Sequence, residues 1–340
     1  MKKILFFLGV LLIGAGAFLA WFVPRAWLAT PGEPYATKKI TIGEDWDASR
    51  MAQELKKEGL IDSEFGYRMY AYFDKSADKP RAGEYDLFLK DSYRSIARTI
   101  FRGPQRDEVE IRIIEGLSLT QEAEVLAGYK TKVEDFYALT GNAKQPFSTE
   151  LRTTFPFLEK LPVDATLEGY LFPETFRVWR DQLPLALIEK QLTVFEDRTK
   201  GMAEEAVKQG RDFRDVMILA SIVEKEAAGA DDRKIVAGIY LNRLKKGMLL
   251  QSDATVNYVT GAGRARPVLK DLDVDSPYNT YKHKGLPPGP ICNPSLESIE
   301  AALHPTATDY LYYLHDDAGK SYYAKTLEEH KQNRYKAYGE

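Results

Sequence analysis

The sequence predicts a mixed α+β protein that begins with a single membrane-spanning helix. Three observations lead to this fold class: one long apolar run at the N-terminus, short segments with alternating apolar residues, and longer segments in which apolar residues recur every three or four positions. The chain has 340 residues, of which 44% are apolar and 29% are charged, as is typical of folded proteins with room for two domains. A net charge of −3 argues against nucleic acid as a partner.

The apolar run covers residues 4–23 and follows Lys2 and Lys3. A helix of that length spans roughly 30 Å, which matches the hydrocarbon core of a bilayer. The two lysines predict that residues 1–3 stay in the cytoplasm and that the rest of the chain is exported, although Arg25 reduces the charge contrast. A cleaved signal peptide is the alternative, but the length of the run favours an uncleaved, single-pass anchor in the cell (inner) membrane.

A linker and a small module are predicted after the anchor. Residues 24–37 contain several prolines and a glycine and are predicted to be the linker. Residues 38–105 are predicted to form the module, in the order strand, helix, helix, strand and one further helix. The predicted strands are 38–42 and 81–89, and the predicted helices are 47–58 capped by Asp47, 62–73 capped by Asp62, and 92–102. The βααβ order resembles that of sugar-binding LysM-like modules and is found in other small domains as well.

Residues 106–340 are predicted to form a second, mixed α+β domain. Its first strand carries Val109, Ile111 and Ile113 on one face. Residues 118–210 are predicted to be mainly helical, interrupted by the aromatic segment 168–179, which is interpreted as an ordered surface or groove segment. The remaining local signals are two helix capping boxes (Ser118 with Gln121, Thr131 with Glu134) and two C-terminal strands around a turn at 317–319, followed by a last helix.

The most informative charged residue is Glu226, in the sequence "ASIVEKE". In a helix, Leu219, Ile222 and Val223 gather on one face, and Glu226 falls near the centre of that face. Glu224 falls nearly opposite and is predicted to point outward. Burial would raise the pKa of the Glu226 carboxyl, which suits a group that donates a proton near neutral pH. In the alternative interpretation the helix ends near Val223 and all the charges lie in water, as helix ends usually do.

Two polar segments follow and favour the functional interpretation of Glu226. They lie beyond a second helix, predicted to be capped by Asp231 or Asp232, and read "LLQSDATVNYVTG" and "SPYNTYKHKGLPPGPICNPS". Hydrogen-bonding side chains combined with aromatic faces are what a carbohydrate groove requires. The residues predicted to bind substrate are Gln251, Asp253, Tyr258, Tyr278 and Asn279.

No metal or other cofactor is predicted. The four histidines lack the spacing of common metal-ligand motifs. Cys292 is the single cysteine, so the chain has no intramolecular disulfide, and it is predicted to be a packed small residue rather than a nucleophile. A serine acyl-enzyme of the penicillin-binding type is disfavoured because its sequence motifs are absent.

Several stretches resemble, in order, the motifs of the YceG-like family of endolytic murein transglycosylases. They read "IIEGLSL", "LEGYLFPETF", "ASIVEKE", "YLNRLKKGMLLQSDATVNY", "YNTYKHKGLPPGPICNPS" and "AALHPTATDYLYY". In that family the catalytic glutamate is the second of the E-K-E triplet, which is Glu226 here and is also the residue chosen by helix geometry. The resemblance implies a lyase that cleaves the β-1,4 bond between N-acetylmuramic acid and N-acetylglucosamine without water, leaves 1,6-anhydro ends and terminates strand elongation.

Two alternatives stay open. Asp253 is the obvious second acid if the chemistry were hydrolysis instead. The main alternative to an enzyme is a non-catalytic envelope scaffold that binds glycan through the LysM-like module and recruits peptidoglycan synthases (penicillin-binding proteins). The predicted partners in either case are glycan strands and the cytoplasmic membrane.

Overall fold

The computed structural model describes residues 2–28, 36–74, 80–104, 107–227, 229–261 and 268–339. For residues 2–8 it describes the backbone only. The chain divides into two compact units, residues 1–106 and residues 107–340. Both helices and strands occur, so the mixed α+β class predicted from the sequence is confirmed.

The helices are α1 (Lys2–Trp27), α2 (Ala48–Lys57), α3 (Glu64–Phe73), α4 (Tyr93–Arg102), α5 (Leu119–Ala127), α6 (Val133–Thr140), α7 (Thr149–Thr154), α8 (Leu185–Arg198), α9 (Met202–Lys208), α10 (Phe213–Glu226), α11 (Ala230–Lys245), α12 (Asp253–Thr260), α13 (Leu296–Leu303) and α14 (Leu327–Tyr338). The strands are β1 (Thr37–Ile42), β2 (Gly83–Phe88), β3 (Glu108–Arg112), β4 (Thr175–Trp179), β5 (Tyr312–His315) and β6 (Ser321–Ala324). The strands form three antiparallel pairs, β1 with β2, β3 with β4, and β5 with β6.

Helix α1 is longer than the predicted anchor. By length and composition, Gly9–Trp27 is the one stretch within the described residues that could cross a membrane. The helix continues through Pro24 to Trp27, so the predicted linker does not begin at residue 24, and residues 29–35 of that linker lie outside the described part of the chain. Tertiary contacts explain the continuation, because Phe22 and Ala26 are buried in the core of the first unit.

The order βααβ of the small module is confirmed, with β1 and β2 paired from Thr37↔Phe88 to Ile42↔Gly83. Asp47 caps α2 as predicted, since its side chain accepts a hydrogen bond from the backbone N–H of Arg50. The predicted cap of the next helix is wrong, because Ser63 and not Asp62 caps α3. Asp62 is used differently: it accepts a hydrogen bond from Arg25 at 2.7 Å.

In the second unit, β3 pairs with β4, and Val109, Ile111 and Ile113 are buried as predicted. The aromatic segment 168–179 therefore ends in a strand, which the sequence interpretation did not identify. The capping box of Ser118 and Gln121 is confirmed. The box predicted at Thr131 is wrong, because α6 begins after Lys132 without a side-chain cap.

Helix α10 lies at the centre of the second unit. Every residue from 216 to 223 is buried, so the helix is enclosed on all sides and does not rest a single apolar face on the core. It packs against α9, α11, α12 and α13. This position brings its last turn, which ends at Glu226, next to side chains from several distant segments.

The C-terminal strands β5 and β6 and the final helix α14 are as predicted. The start of α11 is not, since Gly229 precedes the helix and neither Asp231 nor Asp232 caps it. Asp232 instead accepts hydrogen bonds from His315 at 2.7 Å and from Ser321 at 2.9 Å. This carboxylate holds the β5–β6 hairpin against α11.

Candidate active site

Glu226 is the last residue of α10, where the backbone turns to an extended conformation at Ala227. Its two carboxyl oxygens are held separately: Oε1 accepts a hydrogen bond from Oγ of Ser252 at 2.6 Å, and Oε2 accepts one from Oη of Tyr313 at 2.9 Å. The residue is half-buried while its carboxyl group is enclosed by protein atoms. The carboxyl is thus oriented by two neutral hydroxyls.

Burial raises the pKa of the Glu226 carboxyl, because a desolvated carboxylate is costly. The hydrogen bonds from Ser252 and Tyr313 oppose that rise, and the negative charge of Asp253 adds to it. A carboxyl with a raised pKa retains its proton closer to neutral pH, which a general acid requires.

The position of Ser252 at the start of α12 explains why its hydroxyl can reach Glu226. It is the N-cap residue of α12, a position where a serine hydroxyl usually bonds to the backbone of its own helix. Here the hydroxyl makes no such bond and donates to Glu226. The backbone of Ser252 is fixed by Thr280, whose Oγ1 accepts from its N–H at 3.0 Å.

Tyr313 lies on β5, and its hydroxyl also contacts that of Tyr240 on α11, at 2.8 Å. Tyr240 is buried and Tyr313 is half-buried, and desolvation raises the pKa of each hydroxyl far above its usual range and keeps it protonated. Neither tyrosine is predicted from the sequence to be a site residue. The run "DYLYYL" contains three tyrosines, and no local signal distinguishes the one that reaches Glu226.

Glu224 was predicted to point outward, and this is wrong, since its side chain is only 7% exposed. Oε2 of Glu224 accepts hydrogen bonds from the backbone N–H and the hydroxyl of Ser295, at 2.9 and 2.5 Å. Oε1 lies 3.5 Å from Nη2 of Arg233. The helical-wheel prediction failed because α10 has neighbours on several sides. Glu224 is paired with a cation, whereas Glu226 has hydroxyl partners.

Two of the predicted substrate-binding residues, Gln251 and Asp253, flank Ser252 in the sequence, and the charge of Asp253 acts on Glu226. Gln251 is exposed and has a left-handed backbone conformation (φ 52°), which residues other than glycine rarely adopt. Its N–H donates to the carbonyl of Thr280 at 3.1 Å. Asp253 accepts a hydrogen bond from the Tyr281 hydroxyl at 2.6 Å.

Tyr258 and Tyr278 form a second group, with ring centroids 5.1 Å apart. The hydroxyl of Tyr258 donates to Oε2 of Glu168 at 3.1 Å. Glu168 is buried, and both its oxygens accept from the N–H of Leu119 at the start of α5, at 3.1 and 3.2 Å. Burial raises the pKa of Glu168 to about 8. Glu168 lies in the motif "LEGYLFPETF", and no local sequence signal predicts a role for it.

Asn279 is placed differently from the other predicted site residues, because its side chain is fully buried. Its Nδ2 donates to the carbonyls of Leu272 and Val274, each at 2.9 Å, and its Oδ1 accepts from the N–H of Tyr281 at 3.0 Å. The side-chain amide of Asn279 is therefore hydrogen-bonded within the loop that carries it, and it orients Tyr281 towards Asp253.

Asn293 connects two segments that lie far from it in the sequence, one at residues 116–117 and one at residues 169–171. Its backbone exchanges hydrogen bonds of 2.8 Å with Gly116 and Leu117, and its Oδ1 accepts from the N–H groups of Gly169 and Leu171 at 2.9 and 3.2 Å. Gly169 has φ +89°, and a Cβ there would lie 2.5 Å from Pro290, so only glycine fits this crossing.

Residues 40–336 match the model of the YceG-like family. The chain belongs to the YceG-like family.

Two relatives of this YceG-like chain are named endolytic murein transglycosylases. An endolytic murein transglycosylase of Bacillus subtilis (strain 168) is 35% identical over 306 residues, which cover 88% of this chain and 84% of the relative. An endolytic murein transglycosylase of Streptococcus pneumoniae (strain D39) is 30% identical over 328 residues and matches 89% of this chain but 59% of its own length. The crystal structure of a YceG-like protein from Listeria monocytogenes superposes with a TM-score of 0.59 at 32% identity, covering 88% of this chain and 100% of that one.

The single cysteine of the YceG-like chain is packed in the protein interior. Cys292 is buried, as predicted, with its Sγ 3.3 Å from the carbonyl of Ser221, and burial raises the pKa of its thiol well above the usual range. Within the described ranges, no three His, Cys, Asp or Glu side chains cluster in a way that could hold a metal ion.

Proposed function

We propose that this YceG-like chain is a lytic transglycosylase, a lyase that cuts the glycan strands of peptidoglycan at internal bonds. One observation carries the proposal: the carboxyl of Glu226 is enclosed and is oriented by two neutral hydroxyls, with burial raising its pKa. Such a carboxyl can hold a proton and deliver it to a glycosidic oxygen. The names of the relatives identify murein as the substrate class.

The chemistry follows from a single carboxyl acting twice. Protonated Glu226 donates its proton to the glycosidic oxygen while the bond from that oxygen to C1 of N-acetylmuramic acid breaks, and positive charge develops at C1. The carboxylate then accepts the proton of the C6 hydroxyl of the same sugar, whose oxygen forms the new bond to C1. The product is a 1,6-anhydro end, no water is consumed, and Glu226 regains its proton.

The groups around Glu226 have distinct roles in this proposal. Ser252 and Tyr313 orient the carboxyl. Gln251 and Asp253 contact the sugar beside the cleaved bond, while Tyr258 and Tyr278 contact a sugar further along the strand. Asn279 supports the loop that carries Tyr278 and Tyr281. Asp253 already accepts a hydrogen bond from Tyr281, which favours a binding role over that of a second catalytic acid.

The position of the enzyme in the envelope is part of the same proposal. Helix α1 anchors the chain in the cytoplasmic membrane, with the catalytic unit outside it; the helix has the length and composition that this requires. The βααβ module is LysM-like and binds glycan, and peptidoglycan synthases are the expected protein partners.

The product distinguishes this proposal from its alternatives. The full-length protein, purified in detergent, is incubated with isolated glycan strands, and the fragments are identified by mass spectrometry. We expect internal cuts and anhydro-ended fragments, which are one water lighter than hydrolysis products, and none with Glu226→Gln. Hydrolysed ends would identify a glycosidase, and intact strands that are bound but never cut would identify a scaffold.

A further inference from the structure

Arg243 is a buried cation whose guanidinium is hydrogen-bonded to backbone carbonyls. It lies on α11, and 7% of it is exposed. Its guanidinium donates to three backbone carbonyls: Nε to Leu311 at 2.7 Å, and Nη1 to Leu250 at 2.7 Å and to Leu249 at 3.4 Å. Burying a charge that is satisfied by carbonyls is costly, so its presence calls for an explanation.

The two shorter bonds reach the segments that supply the partners of Glu226. Leu250 precedes Ser252 by two residues, and Leu311 precedes Tyr313 by two residues. Ser252 donates to one oxygen of Glu226 and Tyr313 to the other. One rigid guanidinium therefore bridges the two segments whose hydroxyls hold the carboxyl.

We propose that Arg243 is a positioning residue, which sets the spacing of Ser252 and Tyr313 and thereby holds the Glu226 carboxyl in its working orientation. The inference rests on the proposed role of Glu226 as the acid and base. It assigns Arg243 no contact with substrate.

Neighbouring contacts keep the hairpin attached when Arg243 is changed. Asn242 donates to the carbonyls of Thr308 and Tyr310, at 2.7 and 3.1 Å, and Asp232 accepts from His315. Arg243→Lys keeps the charge, but a single ammonium lacks the planar fork that reaches both segments in fixed directions. The variant should therefore fold, and only the distance between Ser252 and Tyr313 should become less fixed.

Arg211 provides a matched control. It precedes α10, at the opposite end of that helix from Glu226, and its Nη1 also donates to two backbone carbonyls, those of Ala302 at 2.7 Å and Leu303 at 3.4 Å. A substitution of Arg211 by lysine removes the same kind of interaction without touching the segments of Ser252 and Tyr313.

The experiment compares Arg243→Lys with Arg211→Lys in the full-length protein, through kcat, KM, the pH profile and the melting temperature. We expect Arg243→Lys to lower kcat roughly ten- to a hundred-fold, the scale of a misplacement near 1 Å, with little change in KM. The alkaline limb of its rate profile should move to higher pH, because the hydroxyls that favour ionised Glu226 are displaced. Arg211→Lys should change neither kcat nor the alkaline limb of the pH–rate profile.

A double-mutant cycle completes the test. In a Ser252→Ala, Tyr313→Phe background, Arg243→Lys should have almost no further effect on kcat, because its action passes through those hydroxyls. Additive losses, or an Arg243→Lys variant that matches Arg211→Lys, would overturn the inference while leaving the proposed function intact. If the unmodified protein cuts no strands, the proposed function fails, and a carbon NMR titration of the Glu226 carboxyl still reports whether Arg243 controls its environment.

Discussion

Tyr313 donates its hydroxyl hydrogen to Oε2 of Glu226 across 2.9 Å, although 87 residues separate the two in the chain. Together with Ser252, which lies 26 residues away from Glu226, it holds a carboxyl whose burial raises its pKa. The site is thus built from three segments that meet at the end of one buried helix.

Tyr313→Phe removes only the hydroxyl and keeps the ring, which packs edge-on against Tyr240 with centroids 6.0 Å apart. Since the lost bond favoured the ionised form, the pKa of Glu226 should rise, and the alkaline limb of the rate profile should move to higher pH. We expect a loss of kcat of about 10- to 100-fold, below the 10²–10⁴-fold scale of a general acid–base group. Tyr240→Phe is the control: it breaks the bond between the two tyrosines but leaves that to Glu226, so a comparable rate loss there would contradict this account.

Glu224→Gln should affect stability more than catalysis, in contrast to its neighbour two residues on. The substitution leaves Arg233, whose side chain is 16% exposed, without its carboxylate and weakens the bonds from Ser295. We expect a loss of about 1–3 kcal/mol in the free energy of unfolding, with near-normal activity below the melting temperature. Glu226→Gln should instead lose at least 10²-fold in activity with little change in melting temperature. Calorimetry and strand-cleavage assays on both variants measure this, and the opposite pattern would transfer the catalytic role to Glu224.

The stability of the folded protein should decrease as the pH rises through the neutral range. Burial raises the pKa values of Glu122 and Glu168 from 4.5 to about 8, so the folded state holds protons that the unfolded state releases. The stabilisation is complete below about pH 4.5 and is lost as the pH rises through about 8. Glu122→Gln, which is neutral at every pH, should flatten this slope in urea unfolding. An unchanged slope would mean that Glu122 is not a source of it.

Asn279 should behave as a structural residue. Asn279→Ala leaves the carbonyls of Leu272 and Val274, which lie in a half-buried loop, without their amide donor, at a cost of about 1–3 kcal/mol in the free energy of unfolding. Tyr278→Ala, at the half-buried position next to it, should instead raise KM, because it removes an aromatic face offered to the sugar. Thermal melts and steady-state kinetics on the pair separate the two roles, and a raised KM with normal stability for Asn279→Ala would return it to the substrate surface.

The orientation of the chain in the membrane can be tested with an added cysteine. Cys292 is buried and should react with a maleimide only after denaturation, so it serves as an internal control. Val207 is 70% exposed, and Val207→Cys should be labelled in intact cells by a membrane-impermeant maleimide. Labelling that requires a breached membrane would place the catalytic unit in the cytoplasm.

Local signals predicted local features well. Asp47 and the pair of Ser118 and Gln121 act as caps because a cap is decided within four residues of sequence. The alternating apolar residues of β3 likewise predicted its buried face, but not its partner β4, whose pairing depends on the path of the whole intervening chain.

The site was predicted only in part for the same reason. Helix geometry placed Glu226 beside the core correctly, yet it misplaced Glu224, because a helical wheel shows directions around an axis and not how many neighbours the helix has. Ser252 and Tyr313 could not be assigned, because the sequence around a hydroxyl residue does not indicate which distant residue its side chain will contact. Arg243 was also missed, because its ligands are backbone carbonyls, which every residue possesses.

Tyr313 follows Glu226 by 87 residues, so an emerging chain contains Glu226 well before it contains Tyr313. Contacts between residues far apart in sequence form slowly, because a long loop must close before the contact stabilises it. A partly exported chain therefore carries Glu226 without one of its two hydroxyl donors. In the proposed enzyme, cleavage should therefore begin only after the segment that carries Tyr313 has been exported and has folded against the end of α10.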